Sequence, residues 1–227
     1  LPGYVDRFGL ERPLTVVALG YRARALAELG EFQPASEAVD ACKALAALVQ
    51  RPFTSIFANI AEGHLRLQTG EATAAMAPLE EAVEFCRRAE AQLMMPVAEG
   101  FFGAACTVAG RWSDGVRHLS AAVREAEAMG FLFQQPLRLA LLAEALLAEG
   151  RLAEADAQAE AARSLAERQG ARGALAHALT VEARIARMAG DEALAISRFH
   201  AALEVAQALS LRPLVTRIRS MSGLDPL

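Results

Sequence analysis

The residues best suited to acid–base or metal chemistry in this 227-residue chain are four histidines and three cysteines. His64, His118, His177 and His200 are scattered, and none stands one helical turn from another, the spacing at which two imidazoles can share a metal. A place on a helix surface or in a groove is therefore expected for each. Cys42, Cys86 and Cys106 form neither a disulfide framework nor a metal-binding pattern, and buried cysteine behaves as a small apolar residue. No GxxxxGK[ST] phosphate loop is present, nor an HExxH, CxxC or GxSxG signature. The glycine pair in EGFFG (99–103) falls on an expected helix, where the second glycine serves close packing. Met94-Met95 fills gaps at a helix start. The acidic strings at Glu80-Glu81 and Glu125–Glu127 are solvated helix faces. The chain is thus not expected to be an enzyme, and no cofactor or metal is expected.

Composition narrows the classes further. Apolar residues make up 54% of the chain, but 51 of them are alanine and only 6% of the chain is aromatic. Many alanine contacts between close helices suit this better than one deep core. The net charge is −4 with both signs intermixed, which gives no electrostatic footprint for nucleic acid. No stretch of about 18 uncharged apolar residues suggests a membrane span. The start, LPGYVDRFGL, has no signal-peptide pattern and no initiator Met, so a piece of a longer cytoplasmic chain is expected.

The elements that must position these residues repeat. Glycines fall at Gly30, Gly70, Gly110, Gly150 and Gly190, a spacing of 40 residues held four times. Each ends an apolar-periodic segment, as a left-handed helix-terminating residue does. Seven residues before them stand Ala23, Gly63, Gly103, Ala143 and Ala183. Five after stand Ala35, Ala75, Gly115, Ala155 and Ala195, and twelve after stand Cys42, Ala82, Ala122, Ala162 and Ala202. Small side chains at all fifteen places let antiparallel helices approach closely. Larger residues fill the space between: Leu19, Leu139 and Leu179 eleven before; Phe32, Trp112 and Leu152 two after; Val39, Leu79, Leu119 and Phe199 nine after. This arrangement resembles the tetratricopeptide (TPR) pattern, whose usual period is about 34 residues. The six extra residues must lie between repeats. HEAT and armadillo repeats have a similar period but do not require this triplet of small positions.

The expected fold class is all-α: a right-handed TPR superhelix, an α-solenoid of five helix pairs with a short C-terminal cap. Helices are expected at 13–29 and 32–48, 53–69 and 72–90, 95–109 and 112–129, 135–149 and 152–169, and 173–189 and 192–209. The units run at about 13–50, 51–92, 93–132, 133–171 and 172–210, with the cap at 211–227, all in one solenoid domain. Pro13, Pro52, Pro96, Pro136 and Pro213 sit near helix starts, where a missing N–H costs least. Gly130 and Gly170 end second helices one repeat apart.

The strings RFGL (7–10), LAELGEF (26–32), GFLF (130–133), EGRLAEA (149–155) and LSLRPL (209–214) carry a narrower likeness. The chain resembles the C-terminal repeat region of large bacterial signalling proteins that join a class III nucleotide cyclase domain to an AAA-type ATPase. It is similar also to that region of large regulators of the LuxR and maltose-activator type. The resemblance implies a sensor or partner-docking arm, with the chemistry upstream and no catalytic residue to carry over.

Helix phase places a candidate binding face on the concave side, lined by first helices. It would present Arg24, Phe57, His64, Leu67, Glu144, His177, Arg184 and Arg187. Two uses are open: docking a protein partner or the chain's own upstream domains, or holding a small-molecule effector that biases those domains. A homodimer through an N-terminal end face around Phe8, Leu14 and Val17 is a further expectation.

Overall fold

The computed structural model describes residues 11–223, with side chains from Leu14 onward. Eleven helices and no strand occur among the described residues: α1 Glu11–Glu28, α2 Phe32–Val49, α3 Pro52–Gln68, α4 Ala72–Arg88, α5 Met95–Val108, α6 Trp112–Ala128, α7 Gln135–Ala148, α8 Leu152–Gln169, α9 Arg172–Met188, α10 Glu192–Ala208 and α11 Arg212–Ser222. The first ten follow the expected segments to within two residues at each end, and α11 lies within the segment expected to form the cap.

The chain forms two compact units, divided between Ala105 and Cys106 inside α5. In the first, α1 pairs with α2 and α3 with α4, while α3 also packs on both α1 and α2. In the second, α7 pairs with α8, α9 with α10, and α11 packs on α10. There α9 lies against both α7 and α8. A first helix therefore touches the first helix of the next pair, which is how residues 40 apart in sequence meet.

Each pair turns on the same backbone device. Gly30 has φ 75°, its N–H donates to the Ala27 carbonyl at 3.0 Å, and the Glu31 N–H donates to Leu26 at 2.9 Å. This is a Schellman closure of the first helix. Glu31 is at once the last residue of that closure and the residue preceding α2, where its carbonyl accepts from the Ala35 N–H. The turn recurs at Gly70, Gly110, Gly150 and Gly190. Because one residue does both jobs, side-chain caps are rare. Glu31, Glu71, Arg111 and Arg151 cap nothing, whereas the Asp191 carboxylate accepts from the Leu194 N–H.

Second helices also end in the left-handed region every 40 residues: Gln50, Glu90, Gly130, Gly170 and Ser210, with φ between 50° and 66°. Only two of the five are glycine. A side chain costs about 1–2 kcal/mol in that conformation, part of which glycine's greater freedom when unfolded offsets. Gln50→Gly, Glu90→Gly and Ser210→Gly are each expected to stabilise the fold by about 0.5–1 kcal/mol. Denaturant titration checks this, and a loss of stability at all three would contradict it.

All fifteen small positions are buried. Val39, Leu79, Leu119 and Phe199 are likewise enclosed. Phe32 and Trp112 are not: each starts a second helix at a corner and remains 39% and 49% exposed. The six extra residues are divided in two ways. Where α3 and α9 are 17 residues long, two-residue links precede them; where α5 and α7 are 14 residues long, six-residue links (89–94 and 129–134) precede them.

Candidate functional site

The side chains expected to share one face fall into two groups, one in each unit. In the first unit Arg24 rises from α1, and Phe57 and His64 from α3. The Arg24 guanidinium carbon lies 4.5 Å from the Phe101 ring centre and 5.6 Å from that of Tyr21. His64 is buried, edge-on to Phe101 at 5.1 Å. Its Nε2 is 3.0 Å from Glu28 Oε1, an ion-pairing distance, but without the alignment of a directed hydrogen bond. Gln68 also donates to Glu28 Oε1, at 3.3 Å. Phe57 is buried beneath two rings, Tyr21 at 5.9 Å and Phe53 at 5.1 Å, each of them 42% exposed. Leu67 is half-buried near the end of α3.

Arg24 keeps some contact with solvent, yet its guanidinium is densely surrounded and its Nε is buried without a hydrogen-bond partner. Burial lowers its pKa; the Tyr21 hydroxyl and the Glu28 carboxylate pull it back up. A guanidinium stays charged throughout the physiological range.

In the second unit Glu144 on α7 is the centre. Arg184 on α9 donates to it at 3.1 Å, and Arg217 on α11 lies 3.9 Å away. Arg217 also meets His177 Nδ1 at 3.1 Å. Glu144 and Arg184, like His177 and Arg217, are 40 residues apart, so the repeat itself builds this network. Burial pushes the Glu144 carboxyl up, but Arg217, Arg184 and His177 outweigh it and hold it below the ordinary glutamate value. The side chain retains 19% exposure, so water screens part of this pairing. The stability it contributes is present above the unfolded-state value of about 4.3 and lost as pH falls through the lower folded value. Acidification toward about pH 3 is therefore expected to lower the wild-type Tm more steeply than that of Glu144→Gln. Equal acid slopes in calorimetry would contradict the assignment.

Arg187 is engaged elsewhere. It donates to the Met221 carbonyl at 2.6 Å and the Ser222 carbonyl at 3.2 Å, pairs with Glu192 at 2.9 Å, and lies over Phe199 at 4.9 Å. It ties the end of α11 to the last helix pair. His118 is buried in the second unit, whereas His200 is exposed. All three cysteines are buried free thiols, and burial pushes Cys42 up to about 11 and Cys86 up to about 12. No group of three or more His, Cys, Asp or Glu side chains that could hold a metal occurs among the described residues. No helix among them is long and apolar enough to cross a membrane. A cleft of about 300 Å³ in the first unit is lined by Lys43, Glu62 and Arg66, and one of about 340 Å³ in the second by Ser210, Arg212 and Arg219. Neither includes Arg24, Phe57, His64 or Arg184.

Sequence reasoning missed Tyr21, Phe53, Phe101 and Arg217. Tyr21 and Phe101 carried a signal, since both stand nine residues before a repeat glycine; the repeat between them has Ala61 there.

Known structures share this architecture. One structure of a putative kinesin light chain with nearly identical TPR-like repeats from Podosopora anserina, a point-substituted form, superposes with a TM-score of 0.59 at 16% identity, covering 94% of this chain and 98% of that one. A second structure of that protein gives 0.57 at 17% identity, with 87% and 95% covered. The fold is that of a tetratricopeptide-type repeat. A signal transduction ATPase with numerous domains (STAND) from Pyrococcus horikoshii, with a tetratricopeptide repeat sensor, gives 0.56 at 14% identity over 98% of this chain. This chain spans 36% of the length of that protein. At these identities the likeness is one of fold. No family model matches the chain, and no curated protein matches it.

Proposed function

We propose that this chain is a non-catalytic docking module, the sensor or partner-docking arm of a bacterial signalling or transcription-regulating ATPase of the cyclase-linked or LuxR and maltose-activator kind. It works in the cytoplasm as a single array of helix pairs, and its partner is another protein or the remainder of its own chain. The observation that carries the reading is the first-helix face of the first unit. Tyr21 and Phe53 stand exposed there over Phe57, close to Arg24. Aromatic rings and arginine dominate the binding energy of protein interfaces. The likeness to an ATPase with a TPR sensor supports the setting.

A photo-crosslinking residue placed at Tyr21 of the full-length protein is expected to capture a polypeptide. One at Glu160, exposed on second helix α8, is not. Capture from Glu160 alone would overturn the reading. A small-molecule effector held on the first-helix face is the competing outcome, seen as a metabolite that raises the Tm and blocks the Tyr21 crosslink.

The same reading admits self-association through the N-terminal end. Leu14 is 62% exposed, whereas Val17 packs against the cluster of Val16, Cys42, Phe57 and Ala58. Phe8 lies outside the described residues. Leu14→Glu is thus a cleaner probe than Val17→Glu: it should convert a dimer to a monomer in light scattering without lowering the Tm.

A further inference from the structure

We propose that the outer face of α1 is a homodimer interface, in which the α1 helices of two copies of this chain pack antiparallel about a twofold axis between Ala18 and Tyr21. The proposal rests on the docking reading and names the polypeptide that Tyr21 meets as a second copy.

Leu14, Ala18, Tyr21 and Ala25 stand on α1 at intervals of four, three and four residues, the spacing of a seam between two helices. All four are exposed, Leu14 at 62% and Tyr21 at 42%. The repeat shows what this face does in later helices. Ala58 and Ala61 in α3 stand 40 residues after Ala18 and Tyr21. Both are buried, Ala58 with Val16 and Cys42 and Ala61 with Ala38, all three from the pair before. Ala178, Val181 and Ile185 hold the same positions in α9, and they are buried with Leu142 and Leu146 of α7. The face is therefore built to receive a helix. On α1 it forms an apolar patch of the kind that finds a partner.

Two observations select a second copy as that partner. The first is a match of sizes. Run antiparallel against itself, the seam sets Leu14 against Ala25 of the partner subunit and Ala18 against Tyr21 of the partner subunit. Every large side chain thus meets a small one, and alanine lets the helix axes approach to about 8 Å. The flanks bring no like charges together, because Arg22 falls opposite Thr15 of the partner subunit. The second observation is that end-to-end stacking is closed. The surface that would receive the α1 of another copy is the last pair, α9 and α10, and α11 already covers it. Leu214 and Ile218, 200 residues after Leu14 and Ala18, are buried there with Leu179 and Phe199. An open filament is barred, and a self-complementary patch closes as a twofold pair. The seam is short, which sets the dissociation constant on the order of 10 μM, at the weak end of specific interfaces.

Sedimentation equilibrium on the full-length protein tests the register by exchanging the sizes. Ala18→Tyr sets ring against ring and should weaken dimerisation at least about tenfold. Tyr21→Ala sets alanine against alanine and should weaken it as well. The double variant carrying both changes restores large against small across the twofold axis and should recover most of the wild-type affinity. Both positions are exposed on α1, so helical circular dichroism should be unchanged in all three variants. A double variant no tighter than Ala18→Tyr alone would overturn the proposal. So would a wild-type protein that stays monomeric at about 100 μM, well above the constant expected of a small interface. Photo-crosslinking at Tyr21 keeps the two readings apart. A product of twice the mass of the protein supports the dimer. Capture of a different polypeptide, or a crosslink within one chain to residues 1–10, would overturn the dimer; the first of these leaves the docking reading standing.

Discussion

Arg138→Met is expected to destabilise the second unit by about 2–3 kcal/mol and to open the connection between α6 and α7 to proteolysis. Arg138 is 3% exposed on a helix that begins one residue before Pro136. Its Nη2 donates to the Phe131 carbonyl at 3.1 Å and to the Phe133 carbonyl at 2.6 Å. Its Nε donates to Gln135 Oε1 at 2.9 Å. Gln135, only 1% exposed, passes the network on to the Glu127 carboxylate at 3.2 Å and the Val123 carbonyl at 3.4 Å. One side chain therefore fixes the six-residue link that positions α7 on α6. Burial pulls its pKa down to about 10, still well above neutrality, so the donors are charged. Hydrogen bonds from a charged group contribute about 1.5–3 kcal/mol each, and an acceptor left buried costs about 1–3. Phe133 is half exposed, so water can take over its carbonyl and the total stays near the lower sum. Methionine keeps the length of the stem without the fork. The expected result is a lower denaturation midpoint together with cleavage within 129–134. A normal midpoint with no new cleavage would show that the link holds itself.

That network shows where sequence reading stops. The GFLF string at 130–133 stood out by resemblance, but its local role depends on an arginine five residues beyond it and on a buried glutamine at a helix start. Neither residue has a pattern that separates it from a solvated one. The glycine turns were legible because few other residues adopt that backbone conformation readily. Gln50, Glu90 and Ser210 adopt a similar one without a signature, because each unit can absorb a local strain of about 1–2 kcal/mol. On the candidate face, helix phase placed Glu144, His177 and Arg184 together, since residues one repeat apart on first helices must meet. Phase could not tell that Arg187 would turn to α11, because the path of a terminal helix is set by tertiary contacts. It also passed over Tyr21 and Phe101, whose position is occupied by Ala, Leu and Val in the other repeats and reads as ordinary core.

The fifteen small positions make a sharper test, because at one of them packing and helix propensity pull in opposite directions. Gly63 lies inside α3. Glycine in a helix interior is less favourable than alanine by about 1 kcal/mol, so propensity alone predicts that Gly63→Ala stabilises. The packing argument predicts the reverse. A methyl group built there would stand 2.6 Å from Leu79 Cδ2 and 2.8 Å from Cδ1, and closer still to Cγ. Leu79 is completely buried, so it has no free space to retreat into. Overpacking of this kind costs about 1–3 kcal/mol, which leaves Gly63→Ala less stable than wild type. Gly20, inside α1, is the control. A methyl group there would meet the Phe57 carbonyl oxygen at 3.5 Å and its Cβ at 3.7 Å, ordinary contact distances. Gly20→Ala should therefore gain up to about 1 kcal/mol. Opposite signs in denaturant titration, with both variants keeping their helical circular dichroism, are the expected outcome. A stabilised Gly63→Ala would mean that α3 and α4 are not packed as closely as the repeat of small residues requires.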